Sequence, residues 1–248
     1  MKNIIDFLLG QNKVEIYDVD IDAYHRVYAS FSFLKKYRLV HNEPAFVLDF
    51  CKQEVPYLST QNRILENNPL EAIQLLRSHF FQSSQSLVKT YHDFSQHIPE
   101  LKDTEDILNS SLIFSAKIRR NLEVDYVTPV FVKATPLLLS KKGQVALTFN
   151  TLHLSHRYDK DYLFLYFPHQ KLFLHRNASG WRKIHLHLDY RHFRIIELMA
   201  MGVSDDQIAK EVSLSPLTVR SYIRDLRLDF KQDNRVSLGI LFRALGII

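Results

Sequence analysis

Arg220, Arg224 and Arg227 recur at intervals of four and three residues, and at about 100° per residue they fall on one stripe of a helix. Val219, Tyr222, Ile223 and Leu226 fall on the adjacent face. Guanidinium groups arrayed beside an apolar side that holds the helix down can contact phosphate oxygens or pair bidentately with guanine in a major groove. A solvated helix face would show the same spacing, so the weight rests on the elements that position the stripe.

Those elements are legible. Helical segments are predicted over residues 188–202, 204–211, 215–229 and 234–248, the last with its helix over 236–245. The first carries Phe193, Ile196, Leu198, Met199 and Ala200 and ends at Gly202, the residue type that enters the left-handed region without strain. The second opens at Ser204 with Gln207 three positions on, a capping-box spacing. Ile208 and Val212 face inward, and the small Ala209 lets two helices cross closely. Ser215 and Pro216 open the third as N-cap and N1 proline. A short capped helix, a turn at Leu214 and a second capped helix with an arginine stripe form a helix-turn-helix, the unit that places a recognition helix in DNA.

Residues 188–248 resemble the LuxR/GerE-type DNA-binding domain along their whole length. The likeness lies in Gly202-Val203-Ser204-Asp205-Asp206-Gln207-Ile208-Ala209, in Leu214-Ser215-Pro216-Leu217-Thr218-Val219-Arg220, and in the closing Ala244-Leu245-Gly246-Ile247-Ile248. The resemblance implies that Arg220, Ser221 and Arg224 reach base edges and nearby phosphates, and that Thr218 and Tyr222 lie near the backbone. It also implies that the last helix dimerises over DNA. Arg227 is expected to contact the DNA backbone. The chain departs from the family pattern at His192 and Arg194, where acidic residues are usual, at Tyr222, where histidine is usual, and at Asp229, where glycine is usual.

Ahead of this unit the texture is α+β. Ala45 to Phe50 reads as a strand with residues 55–58 as its partner, and residues 70–81 as a helix behind Pro69, continued over 87–94. Residues 111–121, 126–139 and 145–154 read as three consecutive antiparallel strands, the last two joined by a turn at Lys141-Lys142-Gly143-Gln144. Residues 162–167 and 171–175 form a further hairpin around Pro168-His169. Asn177-Ala178-Ser179-Gly180 is read as the linker. The region over 37–156 resembles a PAS fold, and the whole chain resembles regulators that join a PAS domain to a LuxR-type unit. The expected division is an N-terminal extension over 1–36, a PAS-like sensory domain over 37–176, an antiparallel sheet with helices, and an all-α four-helix helix-turn-helix domain over 183–248.

Composition agrees with a packed protein. The 248 residues are 46% hydrophobic, with 6 glycines and 8 prolines, enough chain for two domains. The net charge of +5 permits nucleic-acid binding, and 11 basic against 8 acidic residues over 182–248 place +3 of it in the helical unit. The lone Cys51 excludes an internal disulfide and reads as a small buried hydrophobe. The N-terminal apolar run is broken by Asp6 and too short to span a bilayer, so a cytoplasmic location with no membrane contact is expected.

Enzymatic signatures are missing from the sequence. There is no Gly-x-Ser-x-Gly, no phosphate loop and no base beside Cys51, so no catalytic residue and no cofactor is expected. His153 with His156 and His185 with His187 lack further ligands in register, so no metal is expected. The 12 tyrosines and 17 phenylalanines read as core. The reading is thus a non-enzymatic, sequence-specific transcription regulator that binds double-stranded DNA as a homodimer, with RNA polymerase as a further partner. Its PAS-like domain receives a signal or mediates dimerisation, with a ligand the sequence does not name. The alternative is an adaptor whose helical domain docks on polymerase or another protein.

Overall fold

The computed structural model describes residues 13–37, 45–59, 104–119, 127–154, 163–177, 180–186 and 188–248. The helices expected over 70–81 and 87–94 lie outside these residues, as do His156, His187, Ala178 and Ser179. Among the described residues the elements run α1 (Ile21–Tyr37), β1 (Ala45–Asp49), β2 (Glu54–Leu58), α2 (Thr104–Leu108), β3 (Ser111–Arg119), β4 (Val127–Leu139) and β5 (Val145–Leu154). They continue with β6 (Leu163–Phe167), β7 (Leu172–Asn177), β8 (Gly180–His185), α3 (Tyr190–Ala200), α4 (Asp205–Val212), α5 (Pro216–Asp229) and α6 (Arg235–Leu245).

All eight strands join one antiparallel sheet in the order β2-β1-β5-β4-β3-β6-β7-β8. The fold is α+β, a PAS-like antiparallel sheet with helices followed by a four-helix C-terminal unit. The meander is as expected: β3, β4 and β5 are consecutive neighbours, and the β4–β5 turn holds Gly143 at φ 76°. At the sheet's far edge the structure corrects the sequence reading. Asn177 pairs with Gly180, and β8 runs back along β7 with Trp181 opposite Arg176 and Ile184 opposite Phe173. Asn177 and Gly180, taken as the two ends of a linker, are therefore paired within the sheet, and residues 183–185 belong to it. A turn-rich tetrapeptide looks the same from sequence in either role.

Alternation along the strands assigns side chains to two cores. Leu112 and Phe114 of β3, Val130, Val132 and Ala134 of β4, Leu165 and Phe167 of β6, and Leu172 and Leu174 of β7 enter one core with Val14, Val19, Tyr24 and Ile107. Ile113, Phe131, Phe164, Tyr166 and Phe173, the residues between them, enter a second core shared with α3 to α6. Both faces of these strands are thus covered, as their near-continuous apolar runs require.

The N-terminal α1 is pinned to the first hairpin. Buried Asp49 caps the β1–β2 turn, its Oδ1 accepting from the amides of Cys51 at 2.8 Å and Lys52 at 2.9 Å. Its Oδ2 accepts from the Tyr24 hydroxyl at 2.5 Å and from the Tyr28 hydroxyl. Burial, and then these hydrogen bonds to Asp49, hold both phenols protonated well above their usual range. The neighbouring Cys51 is half-buried and free, its thiol pushed up to about 11 chiefly by burial, the setting of a poor nucleophile.

The helical unit sits on the sheet's second face. Phe230, fully buried, meets Phe173 of β7 at 5.0 Å between centroids, Phe164 of β6 at 5.9 Å and Phe242 of α6 at 5.1 Å. Polar contacts ring this aromatic cluster. Lys133 of β4 donates to the Leu245 carbonyl at the end of α6 (3.0 Å), Arg182 of β8 pairs with Asp229 at the end of α5 (2.7 Å), and Lys171 donates to the Leu188 carbonyl (3.1 Å). Lys133 and Arg182 thus meet helix C-termini, where the helix dipole favours cations, while Lys171 holds the segment that leads into α3. No described helix is long and apolar enough to cross a membrane.

Candidate nucleic-acid interface

Local capping builds the helical unit. Asp189 caps α3 by accepting from the His192 amide at 2.8 Å, and Gly202, at φ 82°, closes it. Ser204 and Gln207 form the expected capping box on α4. Ser215 accepts from the Thr218 amide at 3.0 Å with Pro216 in the first turn of α5, and Asn234 accepts from the Ser237 amide at 2.8 Å to start α6. Gly246 ends α6 at φ 70°.

Ile195, Ile196, Leu198 and Met199 of α3, Ile208, Ala209 and Val212 of α4, and Val219, Ile223 and Leu226 of α5 are the buried side of the unit. Of the apolar residues read on this helix, Phe193 is partly exposed, and Ile195 is buried beside Ile196. A close crossing that the sequence did not reveal is that of α3 and α6: a Cβ on Gly239 would lie 3.1 Å from both Cα and Cβ of Ala200.

The departures from the family pattern turn out to be structural ties. Arg194 donates to Glu211 of α4 through Nε (3.1 Å) and Nη2 (2.6 Å) and to Glu197 through Nη1 (2.6 Å), joining α3 to α4. His192 packs against Tyr222 with the rings tilted, 4.5 Å between centroids, while its Nδ1 lies 2.7 Å from Asp189. Asp229 does not take a left-handed cap: α5 runs through it, and Lys231 adopts the positive φ of 51°.

Each site residue expected from the sequence can now be placed. Arg220 and Arg224 project from α5 with side chains 63% and 64% exposed. Thr218 is exposed at the N-terminus of α5, its hydroxyl 2.8 Å from that of Ser215. Half-buried Ser221 accepts from Arg224 Nη2 at 3.0 Å. Tyr222 lies in the seam with α3, where burial raises its phenol above the ordinary range. Arg227 is half-buried and donates to the Asp233 carbonyl, tying the end of α5 to the loop before α6.

Arg220, Ser221, Arg224, Arg227, Asn234 and Arg235 line one groove of about 700 Å³, along with Asp205 and Leu217. Four guanidinium groups against one carboxylate make it electropositive, suited to a polyanion. Arg235 and Asp205 were not among the residues singled out from sequence. They reach the groove by tertiary packing of α4 and α6, and only the Asn234 cap, which fixes Arg235 at the first position of α6, hinted at it. Among the described residues no three His, Cys, Asp or Glu side chains gather as metal ligands.

No family model matches the chain, and no curated protein matches it. Among solved structures it is similar to a phage VqmA–DPO complex, 15% identical over 88% of each chain with a TM-score of 0.30. It is also similar to the Vibrio cholerae VqmA dimer without its target DNA, a structure bearing on LuxR-type receptors, at 14% identity over 87% of this chain and 88% of that one, TM-score 0.25. A third likeness, to VqmA bound to DPO, spans 64% of this chain and 61% of that one at 16% identity and a TM-score of 0.23.

Proposed function

We propose that the chain is a LuxR-type transcription regulator that binds double-stranded DNA through α5. The observation that carries this reading is the groove itself: exposed Arg220 and Arg224 stand on a helix whose other side is buried against α3 and α4, beside Arg227 and Arg235. That is the arrangement by which a recognition helix enters a major groove while neighbouring cations neutralise phosphates.

The site on this reading comprises Thr218, Arg220, Ser221, Tyr222, Arg224 and Arg227. Tyr222 acts through its tilted ring contact with His192, and Arg227 through the loop it ties to α5. Binding as a homodimer fits the remaining face of α6, where exposed Val236 and half-buried Ile240 follow one another at helical spacing. Two recognition helices one turn of DNA apart multiply the specificity of one.

Input reaches the recognition helix through the sheet. Alternate residues of β3, β4, β6 and β7 face the first core and the seat of the helical unit. Close-packed interiors transmit displacement rather than absorb it, so repacking of the first core shifts the floor beneath Phe230 and Phe242.

Selection of bound duplexes from a randomised-sequence library by the full chain tests the reading. An enriched sequence with two-fold symmetry supports it. Failure to retain duplex DNA at low salt overturns it in favour of an adaptor that docks on another protein.

A further inference from the structure

Asp205 is the one carboxylate that lines the groove, and its contacts explain why an acid stands there. Its Oδ2 lies 3.4 Å from Nε of Arg220, and its Oδ1 lies 3.0 Å from Nη1 of Arg235. Arg235 is fixed in turn, donating through Nη2 to the Val203 carbonyl at 2.8 Å. The Asp205 side chain is only 23% exposed and the Arg235 side chain 31%. A chain of contacts thus runs from the loop before α4, through the first residue of α6, to a guanidinium on α5.

Arg220 and Arg224 are held differently. Asp225 accepts from both Nε (3.1 Å) and Nη2 (3.0 Å) of Arg224, and Ser221 also accepts from Nη2. Among the described residues no hydrogen bond engages Nη1 of Arg224, which leaves it for a single phosphate oxygen. Among the described residues Arg220 is hydrogen-bonded at Nε alone, so both of its terminal nitrogens are available together. Two donors side by side match the O6 and N7 acceptors of guanine, the fork geometry that reads a base edge.

We propose that Asp205 is a positioning residue that holds Arg220 for reading guanine rather than swinging to a phosphate. The assignment rests on the DNA-binding reading above and adds to it a division of labour: Arg220 specifies, Arg224 anchors. Arg235 neutralises the second oxygen of Asp205, so the acid does not repel the DNA backbone. Without Asp205, a long and largely exposed side chain regains the rotamers that preorganisation had removed.

The test repeats the duplex selection with the full-length Asp205→Ala and Arg220→Lys variants, and with Asp205→Asn as the variant that keeps side-chain volume. The native chain is expected to enrich guanine at one position of each half-site. Asp205→Ala and Arg220→Lys are expected to lose that preference about tenfold or more at the same position. For the Asp205 variants, affinity for random duplex and its salt dependence should stay near native, and the double variant should discriminate no worse than Arg220→Lys alone. Asp205→Asn, confirmed folded by its thermal transition, should weaken the preference in the same direction. Retention of the guanine preference in both Asp205 variants, or an equal loss of affinity for every sequence, overturns the assignment while leaving DNA binding intact. A native chain that selects no duplex overturns the reading beneath it as well.

Discussion

Phe230, the residue that closes α5, meets Phe173 of the sheet edge to face, with ring centroids 5.0 Å apart and planes at 84°. Both rings are fully buried, so the helix that carries Arg220 and Arg224 is seated on the sheet by an aromatic contact. The nearby Arg182–Asp229 pair is exposed and adds orientation more than energy.

Phe230→Ala should therefore destabilise the whole chain by about 3 to 5 kcal/mol, the usual cost of emptying a buried aromatic site. Arg182→Ala should change stability by no more than about 1 kcal/mol. Urea denaturation of both variants checks the contrast, and similar effects from the two would show that the seat is electrostatic.

His175 offers a pH signature of the same seat. It is 2% exposed, stacks on Phe164 at 4.7 Å, and its Nε2 has no hydrogen-bond partner. Burial first, and then Lys231 and Arg182, hold its pKa down from 6.5 to about 4. The unfolded chain therefore binds this proton more readily than the folded one. Stability from this group is complete above about pH 6.5, falls as pH drops towards 4, and levels off below that. The loss is at most about 3 kcal/mol. Denaturation midpoints across that range should slope for the native chain and flatten for His175→Phe.

Gly239 allows α6 to lie against α3. Its missing Cβ would sit 3.1 Å from the Ala200 backbone, a neighbour held within a packed helix. Gly239→Val should lower stability by about 2 kcal/mol or more through overpacking, despite the helix propensity gained. A thermal midpoint equal to the native one would mean that the crossing yields.

What could be read in advance followed the range of the interactions. The two middle helices of the C-terminal unit are declared by contacts within three residues, Ser204 with Gln207 and Ser215 with Thr218, so their starts were legible. The meander was legible because β-branched and aromatic runs end at Lys141-Lys142-Gly143-Gln144. The last strand was not, because Asn177 to Gly180 carries a turn signal that says nothing about whether the next segment returns to the sheet. Nor was the second core: Leu112, Ile113 and Phe114 are all buried, so the one-sided alternation that reveals a strand's inward face is lost. Of the groove, the stripe was visible as helical spacing. The links from Asp205 to Arg220 and Arg235 join residues 15 and 30 positions apart and exist only once α4, α5 and α6 are packed.

The central claim is that α5 binds duplex DNA through its exposed arginines. Its most direct test is the affinity of the full chain and of the Arg220→Ala/Arg224→Ala variant for a selected duplex, measured across salt concentrations. Each lost phosphate neutralisation should reduce the slope of log affinity against log salt by about 0.9. The native chain should weaken steeply with salt, and the double variant should bind at least tenfold more weakly with a slope shallower by about 1, the share of the Arg224 phosphate contact. Equal affinity and equal slope in the two proteins would contradict the claim.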